Sequence, residues 1–202
     1  LEKQMILLKV NIQLTNFDKW WNATWGSSYK SVALEHGVTP QRVLKNDDDE
    51  SQISVVMTAP NIEIFEKLRT DERIQSTMKN LEGNVVTSRK AGYYTVEQIA
   101  EQSEGNNYGF HVEHKLVDYD KWFNVFSGSS DRLAVEAEVG MKCIRVLRSL
   151  DDRNSAIVVL QGPDQSAMDR MHNHPSVLAR FSDTTLFAQT PRVLGRFTST
   201  AL

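Results

Sequence analysis

Phe17-Asp18-Lys19-Trp20-Trp21-Asn22 and Tyr119-Asp120-Lys121-Trp122-Phe123-Asn124 are one phrase written twice, aromatic-Asp-Lys-Trp-aromatic-Asn, at a shift of 102 positions. The same shift sets Gly26-Ser27-Ser28 against Gly128-Ser129-Ser130. One inserted residue later, at a shift of 103, Gly37 meets Gly140, Arg42-Val43-Leu44 meets Arg145-Val146-Leu147, Val55-Val56 meets Val158-Val159, and Pro60 meets Pro163. Identities kept in order with a single insertion mark an internal duplication, and the repeat must be read before any fold is assigned.

Within copy one, Leu8, Val10, Ile12 and Leu14 alternate with polar residues, the period of a half-buried strand. Thr15-Asn16 offers a cap for a helix starting near Phe17, with Asp18 in its first turn. Gly26-Ser27-Ser28 interrupts that helix, and Gly37 stops its second segment. Strands over 41–45 and 53–58 flank the acidic turn Asn46-Asp47-Asp48-Asp49-Glu50, a hairpin with a long loop. Pro60-Asn61 opens a second helix through Ile64, Phe65 and Leu68, broken near Thr70-Asp71, and a last strand runs over 85–96. Copy two repeats the order: strand 111–116, helix from Tyr119, hairpin 144–147 and 156–160, helix 165–181, strand within 186–197.

The order β-α-β-β-α-β is the split βαβ, ferredoxin-like unit. The expected domains are repeat one over 5–97, a polar linker over 98–108 whose first half is short enough for one helical turn, and repeat two over 109–198. One such unit covers only one sheet face with helices. The expected fold class is therefore α+β, two tandem ferredoxin-like repeats forming one pseudo-two-fold barrel of the dimeric α+β type.

The 202 residues suffice for a core that hides roughly 70% of the unfolded surface. Lys plus Arg is 23 against 26 Asp plus Glu, a net charge of −3, so no basic field invites a nucleic acid. No apolar run approaches the roughly 20 residues of a membrane span. The lone Cys143 excludes an intrachain disulfide. The chain opens at Leu1, which leaves removal of a leader as one expectation and the compartment open.

The run from Phe17-Asp18-Lys19-Trp20 through Gly37-Val38, Arg42-Val43-Leu44, the acidic turn and Pro60, with Phe65-Glu66-Lys67-Leu68-Arg69-Thr70-Asp71-Glu72-Arg73-Ile74 as a broken second helix, resembles uncharacterised proteins of the dimeric α+β-barrel superfamily. That superfamily includes antibiotic-biosynthesis-monooxygenase-like domains, polyketide-cyclase-like and stress-responsive barrels, and haem-binding chlorite-dismutase-like proteins. The resemblance implies architecture; function varies too widely across the group to be carried over.

Metal, phosphate and nucleophile motifs are absent: there is no CxxC, HExxH, GxSxG or Walker loop. His114 stands where copy one has Ile12, a titratable group in place of a core aliphatic, and is read either as a general base or as a hydrogen-bonded core histidine. His111 and Glu113 share the opposite strand parity and line a cleft or face water. Arg42 and Arg145 recur at equivalent positions, as an ion pair with the nearby Asp48, Asp49, Asp151 and Asp152 or as a contact to an anionic ligand. Trp20 and Trp122 head aromatic stripes that serve as core or as ligand wall. His172-Asn173-His174-Pro175 falls near the expected helix break, as a cap or as a haem ligand. Three functions follow: a small-molecule-binding barrel, as a cofactor-independent enzyme on an apolar or aromatic substrate with His114 as base; a non-catalytic assembly module pairing through its last-strand edge with a protein partner or a second copy; and a haem-binding barrel.

Overall fold

Capping explains where each helix begins, and the caps recur at the duplication's own shift. Asn16 Oδ1 accepts from the Lys19 N–H at 2.8 Å, and Asp118 Oδ1 from Lys121 at 2.9 Å. Asn61 accepts from Ile64 at 3.1 Å, and Asp164 from Ala167 at 2.8 Å. Each satisfies one of the orphan donors of a first turn. The computed structural model that shows them describes residues 4–101 and 108–202.

Unit 1 comprises Leu1–Thr95 with Ser199–Leu202, and unit 2 comprises Val96–Thr198. The first copy runs β1 (Ile6–Leu14), α1 (Phe17–Ala23), α2 (Tyr29–Glu35), β2 (Thr39–Asn46), β3 (Gln52–Ala59), α3 (Ile62–Thr70), α4 (Glu72–Leu81) and β4 (Val86–Gln98). The second runs β5 (Tyr108–Leu116), α5 (Tyr119–Ser127), α6 (Ser130–Val139), β6 (Lys142–Ser149), β7 (Ser155–Gln161), α7 (Gln165–His172), α8 (Pro175–Phe181) and β8 (Phe187–Ala201). The first-copy strands are ordered β4-β1-β3-β2, with Val10 opposite Val55 and Ala91. Those of the second are ordered β8-β5-β7-β6, with Val112 opposite Val158 and Val193. All these pairs are antiparallel, so the class is α+β.

In unit 1 the helix-facing side of the sheet carries Leu8, Ile12, Val55 and Met57 into a core with Trp20, Phe65 and Leu68. In unit 2, Val112, Leu116, Val158 and Leu160 join Trp122, Phe126 and Met168. Every residue of β7 is buried, as are Lys9, Ser54 and His111. In unit 1 the Leu202 N–H donates to Gln41 O at 3.1 Å.

The helical stretch expected over 165–181 breaks where the sequence placed the break: Asn173 caps α7, His174 caps α8 and Pro175 occupies its first turn. Proline needs no N–H at that position and cannot continue the preceding helix. Of the expected linker over 98–108, residues 102–107 lie outside the described residues. Its start is not helical: Gln98 closes β4, and the N–H groups of Ile99 and Ala100 both donate to Ile144 O, at 3.0 and 3.2 Å.

Gly140 ends α6 at φ 75°, and a Cβ there would meet no atom within 4 Å. The cost of a side chain is therefore conformational alone. Gly140→Ala is expected to lower the unfolding free energy by about 1–2 kcal/mol, and Gly140→Asn by less; urea denaturation of the two variants checks the order.

Candidate functional site

Between the sheet and the helices of unit 1 lies a cavity of about 670 Å³. Leu8, Val10 and Ile12 of β1, with Val55 and Met57 of β3, form one wall. Phe65 and Leu68 of α3 and Ile74 and Met78 of α4 form another. Trp20, Thr24, Trp25 and Tyr29 complete it from the first helix pair. Thr24 leaves the space open. It ends α1, its hydroxyl folded back onto Trp20 O at 2.8 Å. Trp25 then packs edge-on against Tyr29, ring centroids 4.7 Å apart.

The cavity is mostly apolar, with polar groups at two levels. Trp25 lines the space, and its Nε1 is buried with no hydrogen-bond partner. Burial raises the Tyr29 phenol to about 12, the charge of Arg89 working against that shift, so the hydroxyl keeps its proton at neutral pH. Among the more exposed lining residues, Arg89 pairs with Glu82. Arg69 pairs with Glu66 at 2.7 Å, and Glu66 also accepts from the Tyr93 hydroxyl at 2.9 Å. These bonds, Arg69's first, hold the Glu66 carboxyl below its usual range.

The equivalent cavity of unit 2 measures about 70 Å³. Phe126 stands where copy one has Thr24, stacked on Trp122 at 4.7 Å. The Arg132 guanidinium lies 4.8 Å from the Phe126 ring, donates from Nε to Phe126 O at 3.1 Å, and pairs with Glu136 at 2.5 Å. Both charged side chains are under 8% exposed. Phe181 and Phe187 close the remainder around His114, centroids 6.1 and 5.7 Å from its ring.

His114 is buried, its Nδ1–H donating to Val112 O at 3.0 Å. Desolvation pushes its pKa down to about 4, so the ring is neutral at pH 7 and a weak base. His172 lines the same small cavity. His174 accepts from the Ser176 N–H at 3.2 Å and faces Glu138 at 3.4 Å, which occupies both ring nitrogens. His111 is buried against Phe197, centroids 4.6 Å apart, and Glu113 pairs with Arg192 at 2.9 Å. Arg42 donates to Ser199 Oγ at 3.2 Å rather than pairing with the hairpin acids. Asp49 bonds Ser51 and Gln52 within its own turn, and Asp152 pairs with Lys115 at 3.1 Å. Arg145 sits opposite Val159 in the β6–β7 ladder. Burial lifts the Cys143 thiol to about 12, which leaves it protonated and inert. Trp20 and Trp122 each line their own unit's cavity.

Of the candidates named from sequence, His114, His172 and Trp122 meet at the small cavity, Trp20 lines the large one, and His111, Glu113, Arg42 and Arg145 line neither. Thr24, Tyr29 and Arg89 also line the large cavity, Tyr29 and Arg89 without a sequence signal that singles them out, whereas Trp25 belongs to the aromatic stripe of Trp20. The contrast of Thr24 with Phe126 at matched positions was available by the reasoning that singled out His114 against Ile12. A haem needs an axial ligand beside room for the macrocycle. Among the described residues, His114 and His172 line the small cavity, and no histidine or cysteine lines the large one. His172, the ligand expected from the sequence, therefore has no room for the macrocycle beside it, and no cluster of three or more His, Cys, Asp or Glu side chains that could hold a metal ion occurs among those described.

No family model matches the chain, and no curated protein matches it. Solved structures do. An anthrone oxidase-like protein is 14% identical with a TM-score of 0.67, over 98% of this chain and 92% of that one. A candidate monooxygenase from Lactobacillus acidophilus is 12% identical with a TM-score of 0.59, over 98% and 95%. A mutant chlorite dismutase from Candidatus Nitrospira defluvii is 9% identical with a TM-score of 0.55, over 97% and 91%. Identities this low speak to the fold alone: the chain has the dimeric α+β-barrel fold. No helix among the described residues is long and apolar enough to cross a membrane.

The depressed pKa of His114 sets a pH dependence. Above pH 6.5 the ring is neutral folded or unfolded and shifts nothing. Between 6.5 and about 4 the unfolded chain takes a proton that the native state refuses, so stability falls with pH. The full loss, below about 4, is roughly 3 kcal/mol. His114→Ile, which restores the copy-one residue, is expected to remove that acid-side slope; denaturant midpoints from pH 7 to 4 check it.

Proposed function

We propose that the chain binds an apolar or aromatic small molecule in the unit 1 cavity and, with no cofactor, polarises a carbonyl on it through its own donors. One observation carries this reading: an apolar space of about 670 Å³ is lined by Trp25, whose buried indole N–H has no protein partner. Leaving a buried donor unsatisfied costs about 1–3 kcal/mol, and a ligand acceptor returns that energy on binding. The neutral Tyr29 hydroxyl lines the same space and can supply a second donor. Preorganised donors in a water-poor site favour a carbonyl oxygen that gains negative charge, which is the electrostatic part of enolisation and of acyl and oxygen chemistry at a carbon beside it. Both the anthrone oxidase-like protein and the candidate monooxygenase share this fold, which supports a small-molecule role without assigning a reaction. No step is routed through His114, which lines the other cavity.

The matched pair tetralin and α-tetralone, hydrocarbon and aromatic ketone, tests the reading by isothermal titration. The ketone is expected to bind roughly five-fold tighter through the indole N–H. Trp25→Phe should bring it down to the hydrocarbon's affinity, and Thr24→Phe, which installs the copy-two residue, should abolish binding of both. Exchange of the ketone's α-protons with deuterium, followed by NMR, should be faster with the native chain than with Trp25→Phe. Native chain that binds neither compound ends the proposal.

A further inference from the structure

We infer that the ligand of the unit 1 cavity is an acid, an apolar body carrying one carboxylate that docks among the cationic side chains at the cavity's exposed edge. This rests on the preceding reading of the cavity as a small-molecule site and narrows the class of molecule it takes.

The argument starts from the charges that line the space. Three cationic side chains, Arg69, Lys79 and Arg89, face a single lining carboxylate, Glu82. Glu82 is already bound to Arg89, and Arg69 leans on Glu66, which is not part of the lining. Lys79 lies in the last turn of α4, and among the described residues no carboxylate stands within ion-pair distance of it. With Glu66 set against Arg69 and Glu82 against Arg89, Lys79 is the cation left over at this edge, in a chain whose net charge is −3. Such a local excess against the molecule's overall sign attracts anions to one place and not to the surface at large.

The second copy supplies a control within the same chain. Its cavity is lined by Asp131, Arg132, Glu136 and Arg180, two cations against two carboxylates, with Arg132 and Glu136 closed on each other. The filled cavity is balanced; the open one is not. Apolar walls bind an acid and its neutral amide by the same contacts, so the charges at the edge do the discriminating. Lys79 supplies a point charge on a flexible stem, able to follow carboxylates on bodies of different length. Arg69 remains free on its other guanidinium nitrogen to share the anion, since both bonds to Glu66 use Nε and Nη2.

Naphthylacetic acid and naphthylacetamide, equal in apolar body and opposite in charge state at pH 7, test this by titration at low and high salt. The acid is expected to bind roughly five-fold tighter at low salt, with the advantage screened at high salt. In the double variant Arg69→Gln/Lys79→Gln the ratio of acid to amide affinity should fall to about one, and in Lys79→Glu it should reverse; unchanged melting of the variants confirms that each is folded. Equal binding of acid and amide by the native chain, or an advantage that survives both variants, overturns the carboxylate assignment and leaves the cavity reading standing. Native chain that binds neither probe removes the cavity reading, and the carboxylate assignment with it.

Discussion

Each unit hangs its first helix on one indole. Trp20 and Trp122 are 2% and 1% exposed, and burying a side chain of that size contributes roughly 5 kcal/mol by area. The caps at Asn16 and Asp118 fix where the helix starts, so the indole falls one turn in, over strand residues of the same parity. Phe17 and Trp21 in the first copy, and Tyr119 and Phe123 in the second, gather around it with centroids 5.6–6.4 Å apart. Everything downstream in the helix inherits its direction from that anchor, including the residue one turn later that decides whether the space beyond is filled.

That residue is Thr24 in one copy and Phe126 in the other, and the difference spreads. With Phe126 in place, Trp122 gains a stacking partner, Arg132 gains a ring to lie over, and a buried Arg132–Glu136 pair becomes tenable because Phe126 O also accepts from Arg132. A buried pair survives only when its remaining donors find acceptors. With Thr24, α1 ends early, the aromatic bulk shifts one position to Trp25, and it packs on Tyr29 in a shorter α2 of seven residues against ten in α6. Duplication let one scaffold keep its caps and ladders twice while one copy closed over its cavity.

The scaffold was legible because its signals are local. A cap, a glycine in the left-handed region, and a period-two run each act within a few residues, and each recurs at the shift. The break between α7 and α8 is equally local, since Pro175 fixes it. The site was not legible for a different reason. Trp25 and Trp20 look alike in the sequence, and only the placement of Thr24 separates an indole packed as core from one that lines a space. His114 drew notice as the polar residue at an aliphatic position; its substitution nevertheless leaves a neutral, internally bonded ring.

Internal satisfaction separates structural polarity from polarity that addresses a ligand. Around the small cavity, His114 is bonded to Val112 O, Arg132 to Glu136 and Phe126 O, and Arg180 to Ser129 Oγ at 3.0 Å. Among the residues lining either cavity, Trp25 Nε1 is the buried side-chain nitrogen or oxygen that lacks any partner. Leaving that donor unmet costs free energy in the copy that also keeps the room. In the other copy Phe126 fills the volume and Arg132 and Glu136 close on each other.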